Sequence, residues 1–241
     1  MLLEAMNMDE FHDKVKKCKS VIIPFGSVEE HGPHLPLGTD TLHAYELAKS
    51  TATYVDVFVC PPIWYGLCKS TSQHPGTVSV SGLTLLRLAV EIVGSLYGQG
   101  LRNFIILSGH AGSTHMAYLI DAGEQILSEY EESRVAVLSI IDVVAGCCKD
   151  LVETEGDSHA GEVETSLMLH LRPEWVKGSA EREFPSFPKH VLVRDKRPFW
   201  PNGVWGDPAK ATVEKGKAIL DREGRYLADL IKKIEKMEKG F

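Results

Sequence analysis

Carboxylates and imidazoles are concentrated in one stretch near the start of the chain, GSVEEHGPHLPLGTDT at 26–41. In the order Glu29-x-His31, the alternation of an extended segment would point both side chains to the same face. Asp40 follows in the same stretch, and its two carboxylate oxygens could bridge a pair of ions. This spacing predicts side chains that hold one divalent metal ion or two adjacent ones.

Three later segments carry further candidates: Ser72 and His74 within 64–79, His110 within 108–115, and His159, Glu162 and Glu164 within 155–166. Carboxylate oxygens and imidazole nitrogens are the ligands that borderline ions such as zinc, manganese and iron accept. Two such ions about 3.5 to 4 Å apart polarise a substrate carbonyl and lower the pKa of a bridging water. The residue types therefore predict metal-dependent hydrolysis.

Short apolar, β-branched runs precede these segments, at 21–26, 57–63, 104–109 and 135–141. Runs of this length are typical of parallel strands buried on both faces. Apolar residues at helical spacing lie between them, at 42–54, 83–97 and 115–130. The alternation predicts an α/β fold with right-handed crossovers. In such folds ligands bind outside the carboxyl ends of the strands, which is where the candidate residues lie.

The length of the chain favours a single domain over residues 1–241. A further helix is predicted at 161–171, ending before Pro173. The segment 172–210 carries six of the twelve prolines and three of the four tryptophans, which predicts an irregular arm or lid that needs burial. Residues 212–239 alternate apolar and charged side chains at helical period and predict an amphipathic C-terminal helix.

The balance of charge argues against nucleic acid as a partner, because 26 Lys and Arg face 33 Asp and Glu without a basic cluster. No apolar stretch approaches the roughly 20 residues that cross a bilayer, and no signal sequence is recognisable, so we expect a cytoplasmic protein. The five cysteines are irregularly spaced and form no CxxC pair. They indicate neither a disulfide framework nor a thiolate zinc site.

Other catalytic chemistries find less support. The chain contains no GxSxG elbow, no Walker GxxxxGK[ST] motif and no GxGxxG motif. Cys147 or Cys148 could act as a nucleophile with His159, but nothing in the sequence would stabilise the thiolate. A non-catalytic metal- or metabolite-binding protein that assembles through its Trp-containing segment is the alternative from another class.

The sequence motifs resemble those of a known family. The run VIIPFGSVEEHGPHLPLGTDT, followed by PGT at 75–77, SGHAGS and HAGEVETS, is similar in the same order to the signature blocks of the creatininase (creatinine amidohydrolase) family. The resemblance covers Val21 to Leu171. It implies a three-layer α/β/α fold with a mostly parallel sheet, a homohexamer, and a centre of two ions per subunit, zinc or manganese with iron as an alternative.

The resemblance also implies roles for individual residues. The positions that match family metal ligands are Glu29, His31, Asp40 and His110, with Asp40 as the bridge. His159 matches the histidine that handles the proton of the leaving nitrogen, a task suited to an imidazole near neutral pH. Glu164 matches a recurrent glutamate of the last block.

Two departures from the family pattern bear on the site. The family glutamate that completes the second metal position is replaced here by Gly112, so a different carboxylate must complete it. Glu164 is the first choice, as ligand and catalytic group, and Glu162 the second. Aromatic residues that enclose creatinine in the family are replaced by Ala111 and Glu155, which predicts a pocket that is not shaped for creatinine.

The leading hypothesis is a metal-dependent amidohydrolase that cleaves the C–N bond of a small amide or cyclic amide through a metal-bridged hydroxide. Ser72, His74 and Glu162 are the predicted substrate-binding residues. A formamide deformylase of the flavin or deazaflavin biosynthesis type is the runner-up, because fold and metal ligands are shared across substrates.

Overall fold

The computed structural model describes residues 1–237. Its four strands are β1 (Ser20–Phe25), β2 (Phe58–Val59), β3 (Asn103–Ser108) and β4 (Arg134–Ser139). Its α-helices are α1 (Met8–Val15), α2 (Thr39–Thr51), α3 (Gly82–Gly98), α4 (Ser113–Glu129), α5 (Ile140–Cys147), α6 (Glu162–Leu171) and α7 (Val213–Lys236). No helix in the described part of the chain is long and apolar enough to cross a membrane.

The four strands form one sheet in the order β2-β1-β3-β4, and every pair is parallel. In the central pair, Val21 lies opposite Phe104 and Phe25 opposite Ser108. The carboxyl ends of β1, β3 and β4 therefore meet at one edge. The predicted α/β fold with a parallel sheet is confirmed, and the sheet is parallel throughout its described strands.

Two apolar cores lie on opposite faces of the sheet because successive strand side chains point to opposite sides. Val21, Ile23 and Phe104 pack with side chains of α1, α3 and α4. Ile22 and Ile105 pack on the other face with α2, α5 and α7. Each of these fully buried side chains contributes about 1.5 to 3 kcal/mol of hydrophobic free energy. The result is the expected three-layer α/β/α arrangement.

Two of the predicted strands differ from the structure. The predicted strand at 57–63 is reduced to the two residues of β2, because Pro61 and Pro62 have no N–H to donate to a ladder. The predicted strand at 135–141 ends at Ser139, whose hydroxyl accepts the Asp142 N–H while the Asp142 side chain accepts the Ser139 N–H. This capping box ends the strand two residues early and starts α5 at Ile140.

The C-terminal portion follows its prediction in outline. The helix predicted at 212–239 is α7, which ends at Lys236, and the last predicted residues, 238–239, lie outside the described residues. Helical structure in the segment 172–210 is limited to the 3-10 turns Pro173–Trp175 and Pro208–Lys210, and isolated bridges pair Trp205 with His159 and Gly206 with Glu183. Within it, Trp200 is buried and donates its indole N–H to the Val204 carbonyl. Its function as an arm or lid stays a prediction.

Helix α6 crosses α7 at a glycine, so the two backbones come close together. A Cβ on Gly216 would lie 1.9 Å from the Ser166 carbonyl oxygen of α6. This contact matters for the site because α6 also carries Glu164.

Gly216→Ala should lower the free energy of unfolding by about 1 to 3 kcal/mol, since the added methyl group overpacks the crossing. The matched control is Gly98→Ala at the end of α3, where a Cβ would meet no atom within 4 Å and no loss is expected. Urea unfolding followed by circular dichroism measures both. Equal stabilities of the two variants would contradict this account of the crossing.

Candidate metal centre

Five of the candidate ligands converge at the carboxyl edge of the sheet. Glu29 and His31 follow β1, Asp40 lies in the first turn of α2, His110 follows β3 and Glu164 lies in the first turn of α6. All five are buried, with exposed fractions between 0% and 6%. Residues distant in sequence are thus brought into one cluster, which lies where ligands bind in open α/β sheets.

Close backbone packing positions Asp40 between the two central strands. A Cβ on Gly109, directly after β3, would lie 1.9 Å from the Asp40 carbonyl oxygen. After β1, a Cβ on Gly26 would lie 2.4 Å from the Cα of Thr41. Glycine at both positions therefore allows the start of α2 to approach the sheet edge.

The two oxygens of Asp40 face two different histidines. Oδ1 lies 2.9 Å from Nε2 of His31, and Oδ2 lies 3.2 Å from Nδ1 of His110. Each nitrogen also faces a second carboxylate, with Oε2 of Glu164 3.6 Å from the His31 nitrogen and Oε2 of Glu29 2.6 Å from the His110 nitrogen. Asp40 therefore contacts two histidine–glutamate pairs, one formed by His31 and Glu164 and the other by His110 and Glu29.

The remaining ring nitrogens are bonded to backbone carbonyls, which can only accept. His31 donates from Nδ1 to the Glu29 carbonyl at 3.0 Å, and His110 donates from Nε2 to the Leu67 carbonyl at 3.2 Å. In the neutral rings, the lone pairs thus lie on the nitrogens that face the carboxylates. Second-sphere hydrogen bonds of this kind orient metal-binding histidines.

A nitrogen lone pair and a carboxylate oxygen repel each other, so a cation must lie between the nitrogen and the oxygen. Without a metal, that cation is a proton. Burial acts to lower the pKa of His31, but the charges of Asp40 and Glu164 outweigh it and raise that pKa to about 10. Burial is likewise outweighed at His110, where Glu29 and Asp40 raise the pKa well above its usual value. The donor set of buried carboxylates and imidazoles fits divalent metal ions.

Two groups of side chains have ligand atoms within 4.8 Å of one another: Glu29, Cys68 and His110, and His31, His159 and Glu164. Asp40 lies between the groups through its contacts with His110 and His31. The arrangement can hold two ions side by side with Asp40 as the shared ligand.

Hydroxyl groups hold the carboxylates in place. Ser27 donates to Oδ2 of Asp40 at 2.6 Å and lies 3.4 Å from Oε2 of Glu29, and Thr71 donates to Glu29. Behind His110, burial and the His110 charge lower the pKa of His115 to about 3, so this ring is neutral. These contacts fix the orientation of the ligand atoms.

His159 lies against the His31 side of the cluster. Its Nε2 donates to the Glu30 carbonyl at 2.8 Å, and its ring centre is 4.2 Å from that of His31. Burial and the charge of His31 act to lower its pKa, but Glu30, Glu164 and Glu29 together raise it. Its Nδ1 has no hydrogen-bond partner among residues 1–237, and the ring also belongs to the group of potential ligands with His31 and Glu164.

Four members of the cluster form the polar floor of a cavity of about 210 Å³, namely Glu29, Asp40, His110 and Glu164. Its apolar wall consists of Ile140 and Ile141 from α5 together with Trp200 and Trp205. The two indole rings meet edge-on at 5.9 Å, and Trp200 also packs edge-on against His159 at 5.2 Å. The cavity thus combines charged groups with a flat apolar wall, as is typical of small-molecule sites.

Comparison with protein-family models decides the relationship to known proteins. The model of the creatininase family, described as creatinine amidohydrolase, matches residues 4–231. The chain belongs to the creatininase family. It is therefore a hydrolase of the class that acts on carbon–nitrogen bonds. The resemblance inferred from the sequence motifs is confirmed over nearly the whole chain.

Relatives within this family have different substrates in their names. The chain is 31% identical over 220 residues to a mycofactocin precursor peptide peptidase of Mycobacterium tuberculosis, covering 83% of this chain and 80% of the relative. It is 28% identical over 264 residues to a 3-dehydro-scyllo-inosose hydrolase of Thermotoga maritima, covering 96% and 82%. It is 27% identical over 231 residues to a creatinine amidohydrolase of Pseudomonas putida, covering 88% of each.

Solved creatininase structures share the fold. A crystal structure of creatinine amidohydrolase superposes with a TM-score of 0.88 at 23% identity, covering 98% of both chains. Creatininase structures include a manganese form and a variant of Zn-Zn type. The family thus includes proteins studied with the metals expected from the ligand types here.

The three predicted substrate-binding residues lie outside the lining of the cavity. Glu162 accepts from Lys215 Nζ at 2.6 Å and from the N–H of Thr154 at 2.8 Å, so its carboxylate points toward α7. Ser72 is exposed and donates to a backbone carbonyl, and His74 donates to the Trp200 carbonyl from behind the aromatic wall. Of the two glutamates considered for the second metal position, only Glu164 reaches the cluster.

The three positions at which the chain departs from the family pattern lie in different surroundings. Ala111 and Gly112 line the cavity, whereas Glu155 is exposed and does not. The sequence analysis missed Cys68 and Trp200 as parts of the site. Cys68 lies in the segment 64–79 with the candidates Ser72 and His74, but a lone cysteine without a CxxC partner forms no recognisable metal motif.

Ser27→Ala should weaken metal binding by roughly 10- to 100-fold, because Asp40 loses the hydroxyl that orients it. Competition with a fluorescent chelator measures the affinity. Ser72→Ala, which removes an exposed hydroxyl outside the cavity, should leave it unchanged. Equal metal affinities in the two variants would show that Ser27 does not support the centre.

Proposed function

We propose that this chain hydrolyses the C–N bond of a small amide or cyclic amide at a centre of two divalent metal ions. Glu29, Asp40 and His110 would hold one ion, and His31, Asp40 and Glu164 the other. The observation that carries the proposal is the position of the Asp40 carboxylate between two imidazole lone pairs. A single buried carboxylate that faces two such donors suits a bridging ligand.

Bound divalent metals, zinc or manganese, would supply Lewis-acid polarisation of the substrate carbonyl and an activated water. The residues of the chain contribute orientation and a dry surrounding. Ser27 and Thr71 hold the carboxylates, and Trp200 and Trp205 cover the cavity on the side of His159. Excluding bulk water from the floor strengthens the electrostatic interactions there.

His159 would carry the proton to the leaving nitrogen. Its Nε2–H is bonded to the Glu30 carbonyl, so Nδ1 is the nitrogen that can exchange a proton. An imidazole whose pKa lies above its usual value can be protonated near neutral pH and act as general acid. Glu164 accepts the Ala160 N–H at 2.5 Å, and this contact would hold the start of α6 and the neighbouring His159 in position at the centre.

The shape of the cavity argues for a substrate other than creatinine. The family aromatics expected at 111 and 155 are absent, and the aromatic wall comes from Trp200 and Trp205 instead. A panel of creatinine, formamidopyrimidines, short peptides and keto-inositols, scored for hydrolysis by mass spectrometry, would identify the substrate class. We further propose a homohexamer, which size-exclusion chromatography with light scattering would test.

Asp40→Ala should abolish binding of both ions, because it removes the shared ligand, whereas Glu164→Gln should remove only the ion beside His31. Elemental analysis of purified protein gives the number of metals per chain. Glu155→Gln, an exposed carboxylate outside the cavity, is the control and should keep both ions. An Asp40→Ala protein that retained its metal and its activity would rule out the proposed centre.

His159→Gln should lower kcat by about 10²- to 10⁴-fold without changing the metal content, because it removes a general acid and no ligand. His12→Gln, an exposed histidine on α1, is the matched control. Steady-state kinetics and elemental analysis are made on the same preparations. An unchanged kcat would exclude the proton-transfer role, and loss of a metal would assign His159 to coordination instead.

A further inference from the structure

A cysteine that the family resemblance did not assign lies inside the candidate metal centre. Cys68 is fully buried, and its sulfur lies within 4.8 Å of the ligand atoms of Glu29 and His110. Those two residues already form one half of the centre. In the described part of the chain, no other cysteine belongs to such a group of potential metal ligands.

Three hydrogen bonds hold the backbone around Cys68 in place. The Leu67 carbonyl accepts from His110, and the Leu67 N–H donates to Nδ1 of His115 at 3.1 Å. The Cys68 N–H donates to the Ser79 hydroxyl at 2.9 Å. The same peptide segment that fixes the tautomer of His110 thus fixes the position of the sulfur.

We propose that Cys68 is a ligand of the metal ion held by Glu29 and His110, and that its sulfur makes this position prefer zinc over manganese. The inference rests on the proposed two-metal function and adds a ligand to it. Thiolate is a soft ligand that suits zinc, whereas manganese prefers oxygen ligands. On binding, the S–H bond is replaced by a sulfur–metal bond and the proton is released to solvent, so no oxidant or reductant is needed.

This ligand makes the two metal positions unequal. Cys68 adds a sulfur to the position of Glu29 and His110, whereas the group of His31, His159 and Glu164 offers only nitrogen and oxygen atoms to the other. The two positions therefore differ in the type of metal that they favour, with the softer set of ligands at Glu29 and His110.

The direct test is spectroscopic and needs no substrate. Protein loaded with Co²⁺ should show a sulfur-to-cobalt charge-transfer band in the near ultraviolet. Cys68→Ser should lose this band while still binding cobalt. Cys18→Ser is the matched control: it removes another buried thiol, placed before β1 at the opposite edge of the sheet, and should keep the band.

Zinc-loaded wild-type protein provides a second measurement that does not depend on a variant. X-ray absorption at the zinc edge should contain a sulfur shell at about 2.3 Å. In competition experiments, Cys68→Ser should bind zinc at least roughly 10- to 100-fold more weakly, with manganese affinity little changed, since loss of even a second-sphere partner has that effect.

The possible failures are distinguishable. Wild-type protein that binds two metals but shows neither the cobalt band nor the sulfur shell would overturn the role of Cys68 and leave the two-metal hydrolase intact. Wild-type protein that binds no metal would refute the proposed function itself. If Cys68→Ser fails to fold, as judged by circular dichroism, the wild-type cobalt and zinc spectra still decide the question.

Discussion

The carboxylate of Asp40, buried between two imidazole nitrogens, is the interaction on which the rest of the site depends. Each nitrogen presents its lone pair toward oxygen because the opposite ring nitrogen is bonded to a backbone carbonyl. Burying charged carboxylates is costly unless cations compensate them. The close packing at Gly109 and the hydroxyl of Ser27 keep Asp40 where a shared cation can do so.

Regular elements and an irregular segment contribute different parts of the site. The edge of the parallel sheet carries most of the candidate metal ligands in short segments that follow β1 and β3, so the sheet itself sets their positions. Helix α6 brings Glu164, and the irregular segment 172–210 brings Trp200 and Trp205 to the wall above His159.

Much of the fold was predictable because its signals are local. Apolar runs predicted β1 and β3 to within a residue, and helical spacing predicted α2, α3, α4 and α6. The errors in the predicted strands also have physical causes. Proline shortened β2, and the capping box between Ser139 and Asp142 started α5 inside an apolar run that periodicity alone could not divide.

The sequence by itself determined the family, the layered α/β architecture and a set of candidate ligands, because these depend on motifs and on spacing within single elements. Only the tertiary structure decided which of Glu162 and Glu164 reaches the centre. Two residues apart on a helix, they point about 200° apart, and the packing of α6 against Lys215 of α7 turns Glu162 away. It likewise brought Cys68 beside His110, since contacts between residues far apart in the chain leave no periodic signal in the sequence.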